Sequence, residues 1–187
     1  MSIPSNEKNG WTLFLDRDGV LNERIPGGYV TRVKDFIWLE DTLTALKTLS
    51  AHFKYIFVVT NQQGIGKGLM TEEELQEIHA HLLQQVKDCG GRIDNIYHCS
   101  GLAGATPDCR KPSPDMAFRA QGDFPDIDFS KAVMVGDTPT DMEFARNAGM
   151  HGVRILEDGH DELGYKVFPS LYRATRYLVE MVEGLEV

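Results

Sequence analysis

The segment YIFVVT, Tyr55–Thr60, is apolar on both alternating faces of an extended chain. Such a strand has to be covered on both sides, as happens inside a parallel sheet flanked by helices. It has companions. WTLFLD (Trp11–Asp16), IDNIYHC (Ile93–Cys99), AVMVGD (Ala132–Asp137) and GVRIL (Gly152–Leu156) read as further strands, and YKVF (Tyr165–Phe168) as an edge strand. Helical patterns fall between them. Leu43, Leu46 and Leu49 keep helical spacing from about Asp41 to His52. Thr71 and Glu74 form a capping box ahead of an apolar stripe of Leu75, Ile78, Leu82, Val86 and Cys89. Ser113-Pro114 reads as an N-cap followed by proline in the first turn. Thr140 and Glu143 offer a second box, with Gly149 as the stop. A last amphipathic helix spans Leu171–Glu183. This alternation predicts a three-layer α/β/α sandwich on a mostly parallel, Rossmann-like sheet. With 187 residues, one domain over 1–187 is expected.

Ligands of such sheets bind beyond the carboxyl ends of the strands. Four strands end in or lead to polar chemistry: DRDG, TNQ, CRKP and GDTPTD. Asp16 and Asp18 are two apart on an extended segment, so both carboxylates point the same way. That pair is costly without a cation. It suits a nucleophilic carboxylate and an acid/base carboxylate around Mg²⁺. Thr60 ends its strand with a hydroxyl able to hold a phosphate oxygen. Lys111 supplies a cation on a loop stiffened by Pro112 and Pro114. Asp137 ends an apolar strand, and Asp141 follows near a helix start, where a carboxylate is at home anyway.

Composition narrows the partners. The formal net charge is −9, and the longest basic run is Arg110-Lys111. A chain of this charge repels nucleic acid, so a small phosphorylated metabolite is the expected partner, neutralised by Mg²⁺ and a few placed basic residues. No apolar run reaches the ~18–20 residues of a membrane span. The polar N-terminus lacks a signal-peptide core, and Cys89, Cys99 and Cys109 make no even disulfide framework. The expectation is a cytoplasmic protein with unpaired thiols, off the membrane and favouring a monomer.

The ordered motifs D-x-D-G, T-N, R-K-P and G-D-x-x-x-D cover the chain from Trp11 to about Leu156 and resemble the haloacid dehalogenase superfamily of phosphotransferases. The resemblance implies that Asp16 attacks phosphorus and becomes an aspartyl phosphate, while Asp18 protonates the leaving oxygen and then activates water. Thr60 would bind the phosphoryl group, and Lys111 would neutralise nucleophile and phosphate. Asp137 would ligate Mg²⁺ with Asp16 and the carbonyl of Asp18, with Asp141 behind them. The intervals Asp16–Thr60 and Thr60–Lys111 hold one helix, one strand and loops each, so no cap domain is expected.

Within the superfamily, FLDRDGVLN, GGYV, VVTNQQGIGKG and CRKPSPDM are similar to the heptose 1,7-bisphosphate phosphatases and the histidinol phosphate phosphatases, with GYV favouring the former. The expected substrate is therefore a sugar bisphosphate such as D-glycero-D-manno-heptose 1,7-bisphosphate. Histidinol phosphate phosphatase and a catalytically silent phosphate-binding module are the alternatives. Arg110 and Asn61 are expected at the substrate, and Tyr29 and Arg32 are candidate contacts from the loop after Asn22. GIGKG (Gly64–Gly68) matches neither phosphate-loop pattern and is expected to be a flexible turn. In these relatives the loop before R-K-P binds zinc through four ligands. Here Cys99 and Cys109 keep two of those places, while Gly101 and Pro107 fill the others. Zinc is not expected, because a structural site wants four protein ligands. The loop should rest on packing and hydrogen bonds.

Overall fold

A computed structural model describes residues 10–104, 108–157 and 163–185. Six strands form one sheet: β1 (Thr12–Leu15), β2 (Tyr55–Asn61), β3 (Asn95–Cys99), β4 (Ala132–Gly136), β5 (His151–Ile155) and β6 (Lys166–Phe168). The spatial order is β3-β2-β1-β4-β5-β6, and every pair is parallel. The expected "mostly parallel" sheet is thus parallel throughout the described residues. The helices are α1 (Thr42–His52), α2 (Gln63–Gly66), α3 (Glu72–Asp88), α4 (Asp115–Asp123), α5 (Pro139–Ala148) and α6 (Leu171–Val182). Among the described residues, no helix is long and apolar enough to cross a membrane.

The period of two along each strand sorts the core into two layers. Leu13, Leu15, Ile56, Val58, Val133 and Val135 face α1, α3 and α6. Phe14, Phe57, Val59, Ala132 and Met134 face α4 and α5. The strands are covered on both sides, as their apolar runs required. The chain leaves β1 toward β2 and β3 on one side, then crosses to β4, β5 and β6 on the other. The order therefore reverses at β1/β4, and the crevice beyond those strand ends is where a ligand fits.

Local signals fare unevenly. The capping box at Thr71 and Glu74 forms with both hydrogen bonds, and Gly149 ends α5 with φ 76°. The box expected at Thr140 and Glu143 lies two residues earlier, at Thr138 and Asp141. Pro139 explains the shift, since its missing N–H costs nothing at the first helical position. Ser113 is not the cap of α4, because its N–H bonds Arg110 O and ties it to the preceding turn; Pro114 takes the cap position. The GIGKG turn begins as a short helix, α2, rather than a free loop. Cys89 is a half-buried C-cap residue of α3 rather than plain core.

The largest correction concerns the thiols. Cys99 and Cys109 are joined by a disulfide, with Cα atoms 5.7 Å apart. They do not stand as unpaired cysteines on a loop held by packing alone. His98 points to the other face of β3, where its ring lies 5.9 Å from that of His79 and its Nε2 meets Glu72 at 3.0 Å. Asp108 Oδ1 accepts the Arg110 N–H. Pro107 lies outside the described residues.

Candidate active site

Asp16 emerges from β1 at the reversal point, its N–H held by Val135 O of β4 at 3.0 Å. The chain then turns tightly through Gly19. Its φ of +94° suits glycine, and a Cβ there would lie 2.1 Å from Asp137 Oδ2. Gly136 is equally constrained, since a Cβ would fall 2.2 Å from the Cβ of Asp141. These two glycines let the loop after β1 and the end of β4 close on each other, bringing Asp16, Asp18, Asp137 and Asp141 to one place.

Lys111 reaches the same place from the far side. Its Nζ lies 2.8 Å from Asp16 Oδ1 and 2.6 Å from Asp141 Oδ1, and donates to Val59 O at 2.9 Å. Asn61 braces the lysine: its Oδ1 accepts the Lys111 N–H and its Nδ2 donates to Lys111 O. Burial works against the ammonium charge, yet Asp141 and Asp16 hold Lys111 above its ordinary pKa. Burial also pushes the Asp16 carboxyl up to about 7, with Asp141 and Asp137 adding to the rise and Lys111 opposing it. Burial raises Asp137 as well, against the Arg24 guanidinium. Burial would raise Asp141 too, but Lys111 and the Thr138 hydroxyl and N–H keep it low.

Asp18 is held apart from this cluster. Arg17 Nη2 donates to both of its oxygens at 3.0 Å, Asn22 Nδ2 to Oδ1 at 2.9 Å and Gln62 Nε2 to Oδ2 at 3.0 Å. Burial disfavours its charge, but Arg17 and these hydrogen bonds keep its pKa below the usual value. Behind it, Arg17 Nη1 meets His79 Nε2 at 3.3 Å. Burial, then Arg17 and His98, drive the His79 pKa down to about 3, so the ring is neutral. It therefore accepts at Nε2 from the guanidinium. Thr60 is buried, and its Oγ1 accepts from Gln62 at 2.8 Å.

A cleft of about 230 Å³ opens over these groups. Asp16, Asp18, Thr60, Asn61, Arg110, Lys111, Asp141 and Tyr29 all line it. Lys67 Nζ donates to the Tyr29 hydroxyl at 2.9 Å. The Gln63 amide lies between Tyr29 and Arg110; turned to give its oxygen to Arg110, it accepts from that guanidinium at 3.0–3.1 Å. Arg32 lies elsewhere. It is exposed at the start of a 3-10 turn, Val33–Asp35, and is not among the lining residues. The sequence reading missed Gln62, Gln63, Thr138, Thr140 and, above all, Arg24. Arg24 donates through Nε to Asp137 Oδ2 at 3.0 Å. Its Nη2 lies 2.7 Å from Asp137 Oδ1, 2.7 Å from Asp18 O and 3.5 Å from Asp16 Oδ2.

These contacts test the site for a metal. Asp16, Asp137 and Asp141 each offer an oxygen, all within 4.8 Å of one another. Both Asp141 oxygens are already engaged, by Lys111 and by Thr138. The remaining set is Asp16 Oδ2, Asp18 O and Asp137 Oδ1: three hard oxygens converging on one cationic nitrogen, Arg24 Nη2. This donor set fits Mg²⁺.

A family model described as HAD-hydrolase-like matches residues 108–173. The chain is similar to a D-glycero-alpha-D-manno-heptose-1,7-bisphosphate 7-phosphatase of Mycobacterium tuberculosis, at 42% identity over 73% of this chain and 72% of the relative. It is 30% identical to a D-glycero-beta-D-manno-heptose-1,7-bisphosphate 7-phosphatase of Rhodopseudomonas palustris, over 86% of this chain and 92% of that one. Among solved structures it resembles a D,D-heptose 1,7-bisphosphate phosphatase from B. bronchiseptica complexed with magnesium and phosphate. That match has a TM-score of 0.82 and 27% identity, covering 91% of this chain and 99% of the other.

Proposed function

The chain belongs to the haloacid dehalogenase-like hydrolases, among the heptose-1,7-bisphosphate phosphatases, and from that premise we propose that it is a Mg²⁺-dependent phosphomonoesterase that removes the 7-phosphate of a D-glycero-D-manno-heptose 1,7-bisphosphate. The observation that carries this reading is the gathering of Asp16 Oδ2, Asp18 O and Asp137 Oδ1 around one cationic nitrogen, beside the buried Lys111–Asp16 pair.

Asp16 is the nucleophile. An oxygen of its carboxylate attacks phosphorus, the bond from phosphorus to the sugar's oxygen breaks, that oxygen leaves as the sugar hydroxyl, and an aspartyl phosphate forms. Even with Lys111 opposing the rise, burial leaves this carboxyl at about 7, so a further cation favours the ionised nucleophile. Asp16, Asp137 and the Asp18 carbonyl would hold Mg²⁺, which would supply that positive charge against the phosphoryl oxygens. Asp18 enters the first step protonated and gives that proton to the leaving sugar oxygen; its four hydrogen bonds then stabilise the carboxylate left behind, which takes a proton from the water that cleaves the acyl phosphate. Thr60 and Lys111 hold the phosphoryl oxygens, while Asn61 keeps Lys111 in place. Asp141 holds Lys111 from behind and leaves Asp16 and Asp137 to the metal. Arg110 and Tyr29 lie at the mouth, where the rest of an anionic sugar phosphate would rest.

The test is phosphate release from both heptose 1,7-bisphosphate anomers, histidinol phosphate and nucleotides, with Mg²⁺ and with EDTA. The expected result is Mg²⁺-dependent release with the highest kcat/KM on a heptose bisphosphate. Absence of release from every compound contradicts the reading. A higher kcat/KM on histidinol phosphate moves the substrate to that branch.

A further inference from the structure

Arg24 sits on the three oxygens that would hold the metal, and it sits there as an exchangeable group. Its side chain is 47% exposed. The backbone just before it is fixed independently, since Glu23 N–H bonds Ile37 O. The guanidinium can therefore leave by side-chain rotation alone.

The charges explain why it sits there. Lys111 is shared between Asp16 and Asp141, and Arg17 neutralises Asp18. That leaves Asp137 and the outer oxygen of Asp16 with Arg24 as the cation that touches both. The fork pairs with Asp137 through Nε and Nη2, while Nη2 also reaches the Asp18 carbonyl. A planar, permanently charged fork suits this better than an ammonium would.

We propose that Arg24 is a tethered counter-cation of the metal site: it fills the cation position in the metal-free protein, and Mg²⁺ binds by displacing it. The proposal rests on the Mg²⁺ reading above. Displacement has a definite sign. A residue that supports the metal weakens Mg²⁺ binding when removed, whereas a competitor strengthens it. Arg24 also holds two facing carboxylates together in the absence of metal, so its loss lowers the stability of the metal-free protein and enlarges the gain on adding Mg²⁺.

The experiment is calorimetric titration of Mg²⁺, without substrate, into wild type, Arg24→Gln and Arg110→Gln, with melting curves of each in EDTA and in Mg²⁺. Arg110 lines the same cleft, and its guanidinium faces Gln63. Its removal controls for the mere loss of a nearby positive charge. Arg24→Gln is expected to bind Mg²⁺ roughly three- to five-fold more tightly, the upper end for a partly exposed ion pair, with Arg110→Gln within about two-fold of wild type. The melting temperature of Arg24→Gln should fall in EDTA and recover in Mg²⁺. An Arg24→Gln affinity equal to or weaker than wild type overturns the proposal, as does an equal gain in Arg110→Gln. If wild type itself binds no Mg²⁺, the metal reading falls and the proposal with it. If wild type binds and Arg24→Gln does not differ, only the proposal falls.

Discussion

Lys111 and Arg24 each bridge two carboxylates of the same cleft, but the side chain of one is 2% exposed and that of the other 47%. The lysine has Asp16, Asp141 and Val59 O around its ammonium, and its backbone is pinned by Asn61. The arginine reaches in from the loop after Asn22 with its side chain half in solvent. A buried charge whose partners are all in place is costly to disturb, because removing one member strands the others away from water. A half-exposed charge is screened and replaceable. The cleft thus has a fixed inner ring, where bonds would be made and broken, and an outer ring able to exchange ligands.

The comparison breaks most severely at Lys111. Lys111→Met leaves Asp16 and Asp141 buried against each other, and we expect a loss of about 3–5 kcal/mol in stability by chemical denaturation. Phosphate release should fall roughly 10³-fold in the same variant, since a fixed charge aimed at the transition state is lost. A variant as stable as wild type would place Lys111 in the exchangeable class with Arg24.

His79 extends the inner ring one layer down, behind Arg17. Its folded pKa, about 3, lies below the ordinary 6.5. The unfolded chain therefore binds a proton at a pH where the folded one does not. The contribution of His79 is fully present above pH 6.5 and is lost as pH falls toward 3. Wild type should lose roughly 2–3 kcal/mol from this source between pH 6.5 and pH 4. His79→Gln, which keeps an acceptor for Arg17, should show that much less acid sensitivity in denaturation curves. Parallel pH profiles would mean that the ring is wetter than its burial indicates.

The outer ring should respond weakly. Tyr29 contributes a hydroxyl that takes a hydrogen bond from Lys67 and lines the mouth. Tyr29→Phe is expected to raise KM about two- to five-fold with kcat nearly unchanged, the signature of a modest hydrogen bond made equally before and during reaction. A fall in kcat instead would draw Tyr29 into the inner ring.

The inner ring was largely legible in the sequence. Its residues sit where apolar runs stop, and the end of a buried parallel strand is fixed by the same pattern that defines the strand. Asp16 and Asp137 directly follow β1 and β4 in this way, and Thr60 is the penultimate residue of β2. The outer ring was not legible, because its contacts are tertiary. Arg24 meets Asp137 across 113 positions, and nothing in NERIPGG marks that arginine over Arg32, which faces solvent. Its place directly after the DRDG loop was the one available signal. The Cys99–Cys109 bond was not legible for a different reason: two cysteines closing one loop can hold a metal, stay free or bond to each other, and their spacing alone does not decide which. The cap of α5 was displaced by two residues because Pro139 outweighs a matching box pattern.

The central claim is that the carboxylate held by Lys111 makes the bond to phosphorus. Rapid acid quench during turnover of the heptose bisphosphate with Mg²⁺, followed by mass spectrometry of the Asp16 peptide, tests it directly. The account predicts a phosphoryl group on Asp16 in wild type, and in Asp16→Asn neither that adduct nor turnover within about 10⁴-fold of wild type. Turnover in wild type with no phosphoryl group captured on Asp16, accompanied by near-normal turnover in Asp16→Asn, would contradict it.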